Sequence, residues 1–391
     1  EVVVYSSAVP NDNIELMAAV EKNIPIIKRA EMLGELVALK QTSIAISGTH
    51  GKTSTSSMIG SLLSAGKLDP TLIVGGLVQN LDTNSKLGSG DLIVVEADEY
   101  DKSFLQIKPT IAIITNIEKE HMDCYNDLDD LLSSFAQFAN SVPFYGALIA
   151  CIDSPEVQNI LPLVKRPIIT YGLSAQAEIS AKNINFNQEQ TNFSLYRNNK
   201  KLSEISLNVP GKHNVLNSLA AIAIGFEMGL SIEHIIKGLK SYGGVRRRFE
   251  IKGIANNIMV VDDYAHHPTE IKVVLDGVSN VYDSYEKVCI FQPHRISRLK
   301  DLKKEFTYAF KGADKVILFP IYTAGEKIKL GFSYLNFAKE VIKNSKVKVF
   351  LIDDKFQLAK YIKNNIYGKK IVIGMGAGSI STWMRELPKL L

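Results

Sequence analysis

The residues best suited to chemistry form a glycine-rich run, Gly48-Thr49-His50-Gly51-Lys52-Thr53, between a predicted strand and a predicted helix. Backbone N–H groups in such a turn can face a phosphate, and the helix dipole adds to the attraction. Lys52 would reach the β- and γ-phosphates of a nucleotide, and the Thr53 hydroxyl would ligate Mg²⁺. The strict pattern has a glycine five residues before Gly51, where this chain has Ile46. We therefore predict a shortened phosphate-binding loop; the alternative is an ordinary strand-to-helix turn.

Two further predicted strands end in polar residues. The first runs into Glu96, and the second runs into Asn116, with His121 shortly after it. Because ligands bind beyond the carboxyl ends of parallel strands, these groups are expected to meet Thr53 at one phosphate–metal site. Glu96 suits a hard Mg²⁺ ion, and His121 could hold or orient a second ion. Taken singly, Glu96 would more often be a surface carboxylate, and His121 a structural histidine.

Two polar runs follow predicted strands in the C-terminal part. The first contains Asp263, Tyr264 and His267, and the second contains His294-Arg295 and Arg298. Two arginines three residues apart can clamp a carboxylate or phosphate bidentately. The paired histidines of the first run could instead bind zinc, but no further ligands of suitable spacing lie nearby. Each run alone is moderate evidence for a binding site.

The elements that must position these residues alternate between strands and helices, which predicts mostly parallel sheets. Predicted strands are Val2–Tyr5, Thr42–Ser47, Leu72–Val74, Leu92–Val95, Ile111–Thr115, Ala147–Cys151, Ile258–Asp262, Lys287–Phe291, Lys315–Phe319, Val347–Leu351 and Lys370–Ile373. Predicted helices are Asn13–Lys22, Thr53–Ala65, Leu128–Asn140, Asn214–Met228 and Ile232–Leu239. Alternating polar and apolar residues over Ile179–Val209 predict a small antiparallel addition.

These patterns predict an α/β protein with a parallel-sheet central domain that carries the phosphate loop, and a Rossmann-like α/β C-terminal domain. The expected boundaries are 1–39, 40–245 and 246–391, with a hinge at the Gly- and Arg-rich stretch Gly243–Phe249. Gly374–Ser379 mimics a dinucleotide-binding loop, but the chain ends before the strand and acidic residue that such a site needs. We interpret it as a loop that closes the last domain.

Composition narrows the class of protein. The 391 residues are 46% hydrophobic and 22% charged, with a net charge of +4, and no apolar run approaches the ~20 residues that a membrane span needs. Three scattered cysteines fit a reducing cytoplasm better than a disulfide framework. The sequence contains no basic face with interleaved aromatic residues, the pattern that would indicate nucleic-acid binding. We therefore expect a cytoplasmic protein with small-molecule substrates.

Taken together, the motifs resemble the Mur ligase family of peptidoglycan synthesis, and the resemblance extends over essentially the whole chain. The matching runs include Arg29–Leu33, Gly48–Thr53, Glu96–Glu99, Thr115–Ile117, Gly211–Asn214, Arg246–Phe249, Asp263–Glu270 and Phe291–Arg298. The resemblance implies three domains, which bind a UDP-sugar, ATP and an amino acid in turn. It implies ATP and Mg²⁺ as cofactors, UDP-N-acetylmuramate and L-alanine as substrates, and a monomer or weak homodimer that binds neither nucleic acid nor membrane.

The resemblance also assigns residues. Lys52, Glu96 and His121 are the expected catalytic residues, and Thr53, Glu96 and His121 the expected metal ligands. The expected nucleotide contacts are Gly48, Thr49, His50, Gly51, Lys52, Thr53, Asn116, Asn214 and Asp263, the last two near the base and ribose. The expected substrate contacts are Tyr264, His267, His294, Arg295 and Arg298.

The chain departs from the family at its start, where 1–39 matches only the end of the UDP-sugar domain, so we expect that an N-terminal portion is missing. One alternative is a recycling ligase that attaches a peptide to the same sugar nucleotide. The folylpolyglutamate synthases are more distant, and the His266-His267-Pro268 motif argues against them. A third alternative is an ATP-binding fragment that is inactive without its N-terminal domain.

Overall fold

The computed structural model describes residues 1–6, 9–78, 83–120, 122, 124–187 and 190–391, and two compact units are distinguished. The first unit comprises most of Glu1–Gly244, and the second comprises chiefly Val245–Leu391. The boundary between them falls within the stretch predicted as a hinge; hinge motion itself stays a prediction, as do the three domain boundaries. No described helix is both long enough and apolar enough to cross a membrane.

The first unit begins with a small parallel strand pair, β1 (Val3–Tyr5) and β2 (Ile26–Lys28), joined through helix α1 (Ile14–Glu21). Asn13 caps α1, because its side chain accepts hydrogen bonds from the first amides of the helix. Helix α2 (Arg29–Ala38) follows β2 directly and leads to the main sheet.

Ten described strands form the main sheet, in the order β12-β11-β10-β9-β8-β7-β3-β6-β4-β5. They are β3 Thr42–Ser47, β4 Thr71–Val78, β5 Thr83–Lys86, β6 Leu92–Glu96, β7 Ile111–Ile114, β8 Ala147–Cys151, β9 Ile168–Gly172, β10 Ile179–Phe186, β11 Thr191–Arg197 and β12 Lys200–Leu207. Strand β3 pairs in parallel with both β6 and β7. The carboxyl ends of these three strands therefore lie side by side at one edge of the sheet.

Helices cover this sheet. They are α3 Lys52–Ala65, α4 Leu128–Asn140, α5 Pro155–Ile160, α6 Lys212–Glu227 and α7 Ile232–Ser241, with short 3₁₀ helices at Tyr100–Gln106 and Leu161–Leu163. Residues of β3 such as Ile44 and Ile46 are fully buried. On one face an aromatic cluster joins Phe104 to Phe135 and Phe138, with ring centroids 5.0 and 5.2 Å apart. This packing fixes the 3₁₀ helix that follows β6 against α4.

The second unit contains six described strands in the order β13-β14-β18-β15-β16-β17. They are β13 Glu250–Ala255, β14 Ile258–Asp263, β15 Glu286–Phe291, β16 Lys315–Leu318, β17 Lys348–Leu351 and β18 Lys370–Met375. All pairings are parallel except that of β13 with β14. The helices are α8 Pro268–Val281, α9 Ile296–Asp301, α10 Lys303–Tyr308, α11 Tyr334–Ser345, α12 Lys355–Asn365 and α13 Ile380–Leu390. Separate apolar clusters lie on the two faces of this sheet.

The predicted α/β class with mostly parallel sheets is confirmed, and the antiparallel addition is seen in the pairing of β11 with β12. That addition extends the edge of the main sheet. Helix α2 was missed because it contains Gly34, which as a sequence signal argues against a helix. The structure gives the reason for the glycine, since a Cβ there would lie 2.5 Å from the carbonyl oxygen of Gln106.

Candidate functional site

The phosphate loop connects β3 to α3, as predicted, and its backbone requires glycine at two positions. Gly48 has φ 133° and Gly51 has φ 86°, a region that L-residues with a side chain rarely adopt. A Cβ on Gly48 would lie 2.2 Å from Thr115 Oγ1, and one on Gly51 would lie 2.7 Å from Asn217 Oδ1. Strand β3 is thus followed by a tight turn, closely packed against its neighbours, at the N-terminus of a 14-residue helix. This geometry suits the binding of a phosphate.

Residues at the end of β7 hold the loop in place. The His50 amide donates to Asn116 Oδ1 at 2.9 Å, and Asn116 Nδ2 donates to the His50 carbonyl at 2.9 Å. Thr115 Oγ1 donates to the same carbonyl at 2.6 Å, and the Thr49 amide donates to the Asn116 carbonyl at 3.1 Å. The side chain of Asn116 therefore positions the loop, and a direct contact between Asn116 and a nucleotide stays a prediction.

Lys52, the first residue of α3, has two close partners. Its ammonium donates to the Gly48 carbonyl at 2.7 Å and to Glu99 Oε2 at 2.6 Å, with Asp98 Oδ1 at 3.9 Å. Glu99 is only 1% exposed. Burial alone would lower the pKa of Lys52, but the carboxylates of Glu99 and Asp98 outweigh that effect and hold the pKa above its usual value. Lys52 is thus a permanent cation, held beside the loop by a buried carboxylate.

Glu96 ends β6 and lines the same cavity as Lys52. The cavity has a volume of about 340 Å³, and its lining also includes Gly75, Asp98 and Asp101. Glu96 Oε1 accepts a hydrogen bond from the Gly75 amide at 2.7 Å, which orients the carboxylate. Other parts of the lining come from the N-terminal segment, at Lys28, Arg29, Met32, Leu33 and Leu36. The cavity therefore combines three cationic side chains, several carboxylates and an apolar wall.

The donor set fits a nucleotide phosphate with a hard cation. Thr53 is half-buried in the first turn of α3, next to Lys52, and Glu96 supplies a carboxylate to the cavity that Lys52 faces. Both positions agree with the expected metal-binding roles without testing them. His121, the third expected ligand, lies outside the described residues.

Helix α6 contributes a residue that the sequence reasoning missed. Asn217 is buried and contacts Gly51, where a Cβ would collide with its amide. Asn214 lies three residues earlier on the same helix and is half-buried, so both asparagines occupy one face of α6. The expected nucleotide contact at Asn214 therefore lies one helical turn from a residue that packs against the phosphate loop.

In the second unit, Asp263 ends β14 and is 3% exposed. Its Oδ2 accepts from the Phe249 amide at 2.7 Å, and its Oδ1 accepts from the Ala265 amide at 2.8 Å. Burial raises the pKa of Asp263 to about 6, against the opposing effect of Arg248. This carboxylate fixes the backbone just before β13 and just after β14.

Tyr264 and His267 follow Asp263. The Tyr264 ring receives two guanidinium groups, with Arg247 Cζ 4.7 Å and Arg248 Cζ 5.4 Å from its centroid. His267 is 5% exposed and caps α8, in a capping box completed by Glu270. The structure thus shows a local role for each residue, and their contacts with substrate stay predictions.

His294, Arg295 and Arg298 surround the start of α9. The His294 ring stacks on Tyr322 with centroids 5.5 Å apart and an interplanar angle of 9°, and Arg298 Nη1 lies 3.3 Å from His294 Nδ1. Burial, with smaller effects from His266 and Arg298, lowers the pKa of His294 to about 4. His294 is therefore neutral near pH 7, beside the two arginines predicted to bind an anion.

Three models of known families match the chain. The Mur ligase middle domain matches residues 46–225, the Mur ligase glutamate ligase domain matches residues 247–378, and the Mur ligase family catalytic domain matches residues 1–41. The chain belongs to the Mur ligase family. The expected resemblance is therefore confirmed, in segments that together span most of both units.

Relatives within the family extend the match over the whole chain. The chain is 50% identical over 396 residues to the UDP-N-acetylmuramate–L-alanine ligase of Pelagibacter ubique, an alignment that covers 100% of this chain and 85% of that protein. The enzyme of the same name from Geotalea daltonii is 45% identical over 380 residues, covering 97% and 82%.

Two solved structures are similar to this chain in fold. The UDP-N-acetylmuramate-alanine ligase of Thermotoga maritima superposes with a TM-score of 0.84 at 27% identity, covering 99% of this chain and 84% of that one. A murein peptide ligase from Psychrobacter arcticus has a TM-score of 0.70 at 23% identity, covering 100% and 85%. The second likeness shows a shared fold alone.

Proposed function

We propose that this chain is an ATP-dependent ligase that joins L-alanine to the carboxylate of UDP-N-acetylmuramate, through an acyl-phosphate intermediate. The observation that carries the ligase chemistry is the cavity that Lys52 and Glu96 share beside the phosphate loop. The choice of substrates rests on relatives at 45–50% identity that bear this name. The murein peptide ligase shares only the fold, so it does not favour the recycling reaction.

The reaction needs activation of a carboxylate, which is a poor electrophile at neutral pH. The γ-phosphoryl group passes from ATP to a carboxylate oxygen, and ADP leaves. The amine of L-alanine then attacks the carbonyl carbon, phosphate departs, and the nitrogen loses a proton. Lys52, kept cationic by its carboxylate neighbours, would stabilise the charge on the phosphoryl oxygens as ADP leaves.

Gly48, Thr49, His50 and Gly51 would surround the nucleotide phosphates with backbone N–H groups. Thr53 and Glu96, and His121 for a second ion, would hold Mg²⁺, which when bound neutralises phosphate charge. Asn116 would keep the loop in its binding conformation, and Asn214 and Asp263 would contact the base and ribose.

The second unit would recognise the other substrates. Tyr264, His267, His294, Arg295 and Arg298 would contact them, with the two arginines on an anionic group. His294, neutral at pH 7, would add no positive charge to that pair. We further propose domain boundaries at 1–39, 40–245 and 246–391, a cytoplasmic location and a monomer or weak homodimer.

Phosphate release from ATP tests the proposal, measured with UDP-N-acetylmuramate in the presence and absence of L-alanine. Release that depends on all three substrates is the expected result. If this chain releases none, the assay is repeated with a complete N-terminal domain fused in front of it. Continued absence of release would contradict the proposed reaction.

A further inference from the structure

A single carboxylate joins two loops of the second unit, one that follows β15 and one that follows β16. Glu326 Oε2 accepts hydrogen bonds from the amides of Ile296 at 2.6 Å and Ser297 at 3.0 Å, and its Oε1 accepts from Ser297 Oγ at 2.5 Å. These amides begin helix α9, whose own N-cap residue, Arg295, makes no side-chain capping bond. Glu326 therefore caps this helix from a loop thirty residues further along the chain.

The backbone on both sides of this contact is held in unusual conformations. Arg295 has φ 69°, and on the facing loop Ala324 has φ 52°. Left-handed backbone at residues with a side chain is strained and persists where surrounding contacts enforce it. The enforcing contacts are the carboxylate of Glu326 and two backbone bonds of 2.8 Å, from the Arg295 amide to the Tyr322 carbonyl and from the Tyr322 amide to the Pro293 carbonyl.

The loop that carries Glu326 is otherwise exposed. Tyr322, Thr323, Ala324 and Gly325 are exposed, whereas Glu326 is half-buried. Burial alone would raise the pKa of Glu326, but its bonds with Ser297 and Ile296 lower the pKa below the usual value. The carboxylate is therefore ionised at neutral pH and can serve as a permanent anchor.

We propose that Glu326 is a positioning residue for the amino-acid substrate. By fixing the amides of Ile296 and Ser297, it sets the directions in which Arg295 and Arg298 present their guanidinium groups to the carboxylate of L-alanine. This inference rests on the proposed function. Glu326 itself touches no substrate, and its effect passes through the backbone at the start of α9.

The test compares steady-state kinetics of wild type, Glu326→Ala and Glu326→Gln. Glu326→Ala is expected to raise KM for L-alanine by roughly tenfold, because misdirected arginines lose bidentate contact, while KM for ATP changes less than about twofold. Glu326→Gln keeps an oxygen that can accept from both amides, so it should restore most of the affinity for L-alanine.

Glu340→Ala is the matched control. Glu340 forms an ion pair of 2.6 Å with Lys303 in the same unit, between α10 and α11. Its removal should leave both KM values unchanged. An unchanged KM for L-alanine in Glu326→Ala, or an equal rise in both KM values, would overturn the proposal, because either result would mean a purely structural role.

Hydrogen exchange separates this inference from the proposed function. The amides of Ile296 and Ser297 should exchange slowly in wild type and at least roughly tenfold faster in Glu326→Ala, whatever reaction the protein catalyses. Wild type without alanine-dependent turnover, but with this loss of protection, would refute the proposed function and leave the anchor standing. Equal exchange in the two proteins would refute the anchor.

Discussion

Nζ of Lys52 lies 2.6 Å from Oε2 of Glu99, a residue that is 1% exposed. The lysine of the phosphate loop thus has a buried counter-ion that belongs to the protein. Breaking a buried ion pair by removing one charge is costly, because the other charge stays buried without compensation. A nucleotide that brings phosphates to Lys52 would supply replacement negative charge.

We therefore expect Glu99→Gln to lose on the order of 3 kcal/mol of stability without nucleotide. ATP should raise the Tm of Glu99→Gln by more than it raises the Tm of wild type, since the phosphates restore a counter-charge. Differential scanning fluorimetry with and without ATP measures both effects. Glu178→Gln, which removes the carboxylate from a 3.2 Å pair with the partly exposed Arg197, is the control. Equal ATP-induced shifts in Glu99→Gln and wild type would contradict this account.

The need for glycine at position 51 of the phosphate loop can be tested by comparison with a glycine elsewhere in the chain. Gly51 has φ 86° and a crowded Cβ position, whereas Gly229 has φ 69° and no atom within 4 Å of its Cβ position. Gly229→Ala should therefore cost only backbone strain, about 1–2 kcal/mol. Gly51→Ala should cost more and should weaken ATP binding by roughly tenfold or more, because the loop backbone must shift.

A double variant separates strain from collision. Asn217→Ala removes the amide that a Cβ on Gly51 would meet at 2.7 Å, but leaves φ unchanged. In the Gly51→Ala background it should recover part of the lost stability, as chemical denaturation of the two single variants and the double variant would show. Strict additivity of the two substitutions would mean that Asn217 does not restrict Gly51.

Sequence reasoning identified the residues that stand at the ends of strands and missed those that act across the fold. Lys52 and Glu96 were predictable, because each follows a buried strand of a parallel sheet and the carboxyl ends of such strands meet. Glu99 lies within the Glu96–Glu99 motif, but its role was not predictable, because nothing in a sequence shows which of several neighbouring carboxylates turns inward. Asn217 looked like one more polar residue in a helix.

The helices and strands also differ in how well the sequence predicts them. Leu128–Asn140 and Ala147–Cys151 were predicted with the bounds that the structure has, since one has strong helical periodicity and the other is a short apolar run. Strand β13 was missed because Glu250–Ala255 carries charges and a glycine at Gly253. Tertiary pairing with β14 decides its conformation.

Glu96 provides a third prediction, about the metal. If its carboxylate binds Mg²⁺, Glu96→Gln should raise the Mg²⁺ concentration needed for half-maximal activity and lower kcat by about 10²-fold. Asp101→Asn is the control, because Asp101 is a carboxylate that lines the same cavity but is not an expected metal ligand. A Mg²⁺ titration of the three proteins distinguishes them. Identical Mg²⁺ dependence in Glu96→Gln and wild type would exclude Glu96 as a ligand.

His294 provides a prediction about pH. Its pKa in the folded protein is about 4, below the usual value of 6.5, so the unfolded chain binds a proton that the folded chain does not. Above pH 6.5 His294 is neutral in both states, and this pKa difference costs the folded protein nothing. As the pH falls from 6.5 towards 4, protonation of the unfolded chain lowers the free energy of unfolding. The Tm difference between wild type and His294→Gln should decrease over that interval. Asp263 also has a shifted pKa, but it is present in both proteins, so its effect on Tm cancels in the difference.

An NMR titration measures the same quantity directly. The His294 ring signals should move near pH 4 in wild type. In His266→Gln the pKa should be higher, because the nearby His266 is one cause of the depression. A midpoint near 6.5 in wild type would refute both predictions.

The acyl phosphate gives the last prediction, and it separates the two halves of the reaction. Hydroxylamine added with ATP and UDP-N-acetylmuramate should yield a hydroxamate without L-alanine, since any amine can attack the activated carbonyl. Lys52→Ala should reduce the yield by at least roughly 10²-fold, because the charge on the phosphoryl group is no longer stabilised. Glu326→Ala should form the hydroxamate as wild type does, but L-alanine should suppress it only at higher concentration. Loss of the hydroxamate in Glu326→Ala would mean that this carboxylate also supports phosphoryl transfer, and its absence in wild type would argue against an acyl phosphate.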